Sequence, residues 1–98
     1  MAYKLRFRDD ARDDIVNGYK WYEDKKEGLG IRFIDEVEME IDYISKYPEH
    51  FQIKTKNKYR EAILKIFPYV IIYEIIKKKN EVIVYSVFPT KDDPQKKP

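Results

Sequence analysis

The sequence contains no cysteine, a single histidine, a single tryptophan and three glycines. Without cysteine there are neither disulfides nor thiolate metal sites, and His50 alone cannot build a His-rich one, so no metal or cofactor is expected. No apolar run approaches the ~20 residues that a membrane-crossing helix requires, and no basic-then-apolar leader opens the chain. The expectation is a soluble, cytoplasmic protein. At 98 residues the chain has room for one core rather than two.

What is abundant is tyrosine, at nine residues, with five phenylalanines beside it. Aromatic side chains bury large areas, and tyrosine keeps a polar tip for an interface. The net charge of +2 conceals a division. Residues 1–50 carry nine Lys/Arg against thirteen Asp/Glu, whereas residues 51–98 carry eleven against five. One face could therefore approach a polyanion and another could not.

The hydrophobic period changes along the chain. Tyr3 to Arg8 alternates apolar with basic residues, which predicts a strand with one buried face. Asp9 or Asp10 offers an N-cap to a first helix over 10–26, whose apolar residues Ala11, Ile15, Gly18, Tyr19 and Tyr22 recur at helical spacing. Gly28-Leu29-Gly30 stops it. A second helix is predicted over 31–46 from Phe33, Ile34, Val37, Ile41 and Ile44, and Tyr47-Pro48 ends it. Strands are predicted over 59–66, 69–76 and 82–88, with a short one at 51–53. Val82 to Phe88 is apolar on both faces and so belongs inside a sheet. Lys77 to Glu81 is a polar hairpin loop. The order β-α-α-β-β-β predicts an α+β two-layer sandwich, with a helical hairpin covering one face of a mostly antiparallel sheet. The domain should occupy residues 1–90, and the charged, proline-containing residues 91–98 should form a mobile tail.

Five short words carry a family resemblance: Trp21-Tyr22-Glu23, Gly28-Leu29-Gly30 with Phe33, Tyr59-Arg60, Phe67-Pro68-Tyr69 with Tyr73, and Val87-Phe88. Their order and spacing resemble those of RelE/ParE toxins of type II toxin–antitoxin systems, also called plasmid-stabilisation proteins, from about Leu5 to Pro94. The resemblance implies a growth-inhibiting toxin held inactive by a cognate antitoxin. It implies one of two targets: DNA gyrase, inhibited by binding in the ParE manner, or mRNA on the ribosome, cut without metal in the RelE manner. The gyrase reading is favoured, and a degenerate toxin that acts only as a binding partner is a third alternative.

Arg60 is the only arginine of residues 51–98 and follows the loop bearing Lys54, Lys56 and Lys58. A planar guanidinium suits a phosphate, so these four residues are the candidate nucleic-acid contacts. An ion pair of Arg60 with Glu61, Glu74 or a helix carboxylate is the competing structural reading. In the nucleases of the family an arginine at the matching position contacts the scissile phosphate, and the last strand often bears an acid–base group, where this chain has Tyr85. Arg60 and Tyr85 are thus the catalytic candidates if the chain is a nuclease. Many relatives carry a polar residue, often histidine, where Pro89 stands, and proline cannot transfer a proton. His50 is read as an exposed loop residue. Trp21, Tyr43, Tyr47 and Phe88 are the candidate antitoxin contacts.

Overall fold

The computed structural model describes residues 2–90. The tail expected to be mobile, residues 91–98, lies outside them. The elements run β1 (Lys4–Phe7), α1 (Asp9–Lys25), α2 (Leu29–Lys46), β2 (Ile53–Thr55), β3 (Tyr59–Ile63), β4 (Tyr69–Ile76), one 3₁₀ turn (Lys77–Lys79) and β5 (Glu81–Pro89). They form the expected α+β sandwich, with one strand more than the core order predicted. The sheet order is β1-β5-β4-β3-β2. β1 lies parallel to β5, and every other pair is antiparallel.

The helical stripes build the core. Phe33, Val37, Ile41 and Ile44 of α2 and Ala11 and Tyr22 of α1 are buried against Ile71, Tyr73, Val82, Val84 and Val87 of the sheet. Tyr22 stacks edge-on against Phe67 at 4.7 Å, and Phe33 against Tyr69 at 4.8 Å, so the helix hairpin is anchored on the β3–β4 connection. The hairpin closes because two glycines admit it. A Cβ on Gly18 would stand 2.6 Å from the Phe33 ring, and one on Gly30 would stand 2.7 Å from the Tyr19 carbonyl oxygen. Gly28 has φ 88°, the left-handed region open to glycine.

Boundaries move where a side chain diverts the backbone. α1 starts at Asp9 rather than Asp10, and the expected aspartate N-cap is absent: Arg8 occupies that position with no side-chain bond. Asp9 and Asp10 instead lie in the first turn, where the helix dipole favours them. The short strand lies at 53–55 and not 51–53, because Phe51 turns inward beside Tyr73 and its carbonyl accepts a side-chain bond. β3 ends at Ile63 rather than Ile66. Its continuation wraps around the Glu36 carboxylate, which accepts the N–H groups of Lys65, Ile66 and Phe67 at 2.9, 2.8 and 3.0 Å.

β5 carries a bulge. Tyr73 is registered with Val84 and Ile72 with Ser86, leaving Tyr85 as the additional residue. The bulge shifts the alternation so that Val87 joins Val82 and Val84 in the core. It falls where β1 has ended, and Asp14 of α1 accepts the Val87 N–H, which has no β1 partner, at 3.0 Å.

Candidate functional site

Two regions are candidates for a functional surface: the sheet face away from the helices, and a groove between α2 and the β3 edge. Lys4, Arg6 and Arg8 alternate with the apolar Leu5 and Phe7, whose side chains border the helices. They therefore project from the open face. Tyr59 and Glu74 are register partners there, and Tyr85 joins them from the bulge. The Tyr85 hydroxyl donates to Glu74 Oε1 at 2.7 Å, and its ring meets the Tyr59 ring at 90° and 5.1 Å. The Arg8 guanidinium lies 5.6 Å from the Tyr85 ring, and Lys58 Nζ lies 5.1 Å from the Tyr59 ring. Tyr85 is pushed up to about 12, first by its bond to the Glu74 carboxylate, then by burial and by the Glu74 charge. Its proton is held, not poised for transfer near neutral pH.

Arg60 faces the other way. Its register partner is the buried Tyr73, not Glu74. Arg60 Nη1 donates to the Phe51 carbonyl at 2.6 Å, and the Tyr73 hydroxyl donates to the Pro48 carbonyl at 2.6 Å. Together they fasten the 48–52 loop under the sheet. The two catalytic candidates thus lie on opposite faces, since adjacent strand residues alternate. Among the described residues neither Glu61, Glu74 nor any helix carboxylate is bonded to Arg60; a main-chain oxygen is.

Lys54 on β2 and Lys56 and Lys58 on the β2–β3 loop are exposed. Lys56 and Asn57 make that turn with φ of 54° and 60°. The 3₁₀ lysines lie at the same end of the sheet, because β3 begins where β4 finishes. All three are exposed; Lys77 pairs with Glu49 at 2.9 Å, and among the described residues Lys78 and Lys79 make no ion pair.

The groove encloses about 710 Å³ and is lined by Met39, Glu40, Tyr43, Ile63 and Ile66, with His50 and Phe51 at one end. Of the antitoxin candidates only Tyr43 lines it. Tyr47 stacks on Tyr43 at 5.1 Å outside the groove. Trp21 is half-buried on α1 with Lys25 Nζ 4.2 Å from its ring, and Phe88 is exposed near the end of β5. His50 is exposed as expected, with Nδ1 3.1 Å from the Tyr43 hydroxyl. Among the described residues no three His, Asp or Glu side chains gather as metal ligands, and no helix is long and apolar enough to cross a membrane.

Residues 5–94 match the family described as ParE toxin of type II toxin–antitoxin system, parDE. The chain belongs to the ParE toxin family. A comparison with curated proteins gives no match. Among solved structures, the chromosomal ParDE system of P. aeruginosa superposes with a TM-score of 0.79 at 10% identity, covering 92% of this chain and 98% of that one. The intact E. coli RelBE toxin–antitoxin complex gives 0.68 at 20% identity, covering 92% and 99%. The RelBE2 complex of Mycobacterium tuberculosis gives 0.64 at 16%, covering 92% and 100%. At these identities the likeness is one of fold.

This ParE-family toxin uses residues whose part was not apparent in the sequence. Three helix carboxylates to which the sequence assigned no contact hold backbone amides: Asp14 on the β5 bulge, Glu36 on the 65–67 loop, and Glu23 on Gly28 and Gly30 at 2.9 and 3.0 Å. Met39, Ile63 and Ile66, which line the groove, were not singled out either.

Proposed function

We propose that this ParE-family toxin arrests growth by binding DNA gyrase, without catalysis of its own, and that a cognate protein antitoxin neutralises it. The observation that carries this reading is the separation of Arg60 from Tyr85. RNA cleavage needs a proton acceptor, a proton donor and cations around one phosphate. Here the guanidinium is bonded to the Phe51 carbonyl on the helix side, and the tyrosine proton is bonded to Glu74 on the open face. Pro89, at a position where nucleases of the wider superfamily often carry a proton-transferring residue, points the same way. The antitoxin follows from the type II family and from neighbours that are themselves toxin–antitoxin complexes.

The RelE-like reading keeps one observation in its favour, the exposed Lys54, Lys56 and Lys58 within reach of an RNA backbone. A pulse-label after tightly controlled induction separates the two. Thymidine incorporation falling before amino-acid incorporation, together with inhibition of supercoiling by purified gyrase, supports the proposal. Protein synthesis falling first, with cleaved mRNA, overturns it.

A further inference from the structure

Lysines gather at one end of the sheet. Lys56 and Lys58 stand on the β2–β3 loop, and Lys78 and Lys79 on the 3₁₀ turn that follows β4. Lys4 joins them, because β1 begins beside that turn: its N–H donates to the Asn80 carbonyl at 2.9 Å. All five are exposed, and among the described residues none is in an ion pair. Glu49 and Glu81 at the same end are already paired, with Lys77 at 2.9 Å and Arg6 at 3.4 Å. Ammonium groups left unopposed in one place set up a positive potential that draws a polyanion.

Charge alone suits any polyanion, and the two tyrosines narrow the choice. Tyr59 and Tyr85 are half-buried on the open face, with their rings at 90° and 5.1 Å. Lys58 Nζ lies 5.1 Å from the first ring and the Arg8 guanidinium 5.6 Å from the second. A row of Arg8, Tyr85, Tyr59 and Lys58 therefore crosses the face from β1 to β3, aromatic in the middle and cationic at both ends. Unpaired bases stack on such rings while their phosphates meet the flanking cations. An acidic polypeptide offers the charge without a base to stack.

We propose that this end of the open face binds single-stranded DNA, with bases against Tyr59 and Tyr85 and phosphates on Lys4, Lys58 and Lys78. The choice of DNA over RNA rests on the gyrase reading above, since gyrase brings DNA with it, and the site adds a nucleic-acid contact to the protein contact. Arg60 takes no part, because its guanidinium is bonded to the Phe51 carbonyl on the helix side.

The test titrates the full chain into a labelled oligothymidylate of about 12 nucleotides, a length within the usual site sizes, and reads fluorescence anisotropy. Duplex DNA should bind more weakly, since its bases are not free to stack. Lys58→Glu with Lys78→Glu should weaken binding about tenfold or more, whereas the same change of charge on the helical hairpin, Lys20→Glu with Lys26→Glu, should leave it within about twofold. Tyr59→Phe keeps a ring and should retain binding; Tyr59→Leu removes the ring and should cost about fivefold or more. The exposed lysine pair keeps the test open if Tyr59→Leu lowers the melting temperature. Equal losses from the two lysine pairs would reduce the site to bulk charge and overturn the proposal. Tighter binding of oligouridylate, or equal competition by polyglutamate, would do the same by giving the face to RNA or to an acidic polypeptide. Inhibition of supercoiling is scored separately. A chain that inhibits gyrase without holding the oligothymidylate sinks this inference alone, whereas one that holds it through these residues without inhibiting gyrase supports the site and sinks the gyrase reading.

Discussion

The Tyr85 hydroxyl donates to Glu74 Oε1 at 2.7 Å across the open face of the sheet, and this bond fixes the protonation state of the one tyrosine that the bulge turns outward. The carboxylate opposes formation of a tyrosinate beside it, which is why Tyr85 titrates near 12. Glu74→Gln keeps a carbonyl acceptor and removes the charge. The Tyr85 titration, followed by tyrosinate absorbance, should then fall towards the ordinary value of ~10. An unchanged titration would place the cause in burial instead. Because the folded value lies above the unfolded one, the stability linked to this group is complete below ~10 and is lost as pH rises through about 12.

Arg60→Ala tests the placement of the guanidinium. Removing its bond to the Phe51 carbonyl should cost about 1.5–3 kcal/mol, the usual range for a charged donor. For a domain of this size each kcal/mol lost lowers the melting temperature by roughly 4–8 °C. Growth arrest at a temperature where the variant remains folded should persist. Its loss, with the melting temperature unchanged, would return Arg60 to the target-binding surface.

The layered fold was readable because the period of 3.6 along α2 and of two along β4 survives intact. The two pieces of candidate site that were not readable have one cause. The face on which a strand residue points depends on register, and the bulge at Tyr85 resets the register after Val84. The spacing of Val82, Val84 and Val87, two and then three, is the trace such a bulge leaves. Carboxylate partners are harder still. Glu36 meets amides 29 to 31 residues away and Asp14 one 73 residues away, and each donor is a backbone N–H, which has no residue-specific signature. The groove was invisible because Met39 falls outside the helical stripe, and Ile63 and Ile66 were read as continuous strand.

Glu36→Ala should therefore act at a distance. Three amides lose their acceptor at once, and although water can reach them, a loss of about 2 kcal/mol is expected for charge-assisted bonds. Amide exchange should accelerate at Lys65, Ile66 and Phe67 well before it does in β4. Uniform acceleration would mean that the loop is not a separate unit.

Gly18→Ala reverses an ordinary rule. In an open helix interior alanine is better than glycine by about 1 kcal/mol. Here the added methyl would stand 2.6 Å from the fully buried Phe33 ring, so overpacking of about 1–3 kcal/mol should prevail and the urea midpoint should fall. Phe33→Leu in the same chain should relieve part of that loss, giving a double variant less destabilised than the two single losses together predict. Strict additivity would show that the close approach of α1 to α2 is not what Gly18 protects.

Asp14 supplies the last prediction, with the same pH sign as Tyr85 but in the carboxylate window. Burial raises its pKa most, and Asp10 and Asp13 add to this, while the Val87 N–H works against them. A folded pKa above the unfolded one means that the native chain binds more protons across that window, so stability falls as pH rises from the ordinary carboxylate range through the raised value. At neutral pH the charged Asp14 therefore carries a penalty that its bond to Val87 only partly offsets. Asp14→Asn removes the charge and retains an oxygen for the Val87 N–H. The variant should gain in urea midpoint over the wild type at pH 7, and the gain should shrink at pH 4, where the wild-type carboxyl takes up its proton. A variant weaker than the wild type at both pH values would show instead that the negative charge itself is what holds the β5 edge against α1.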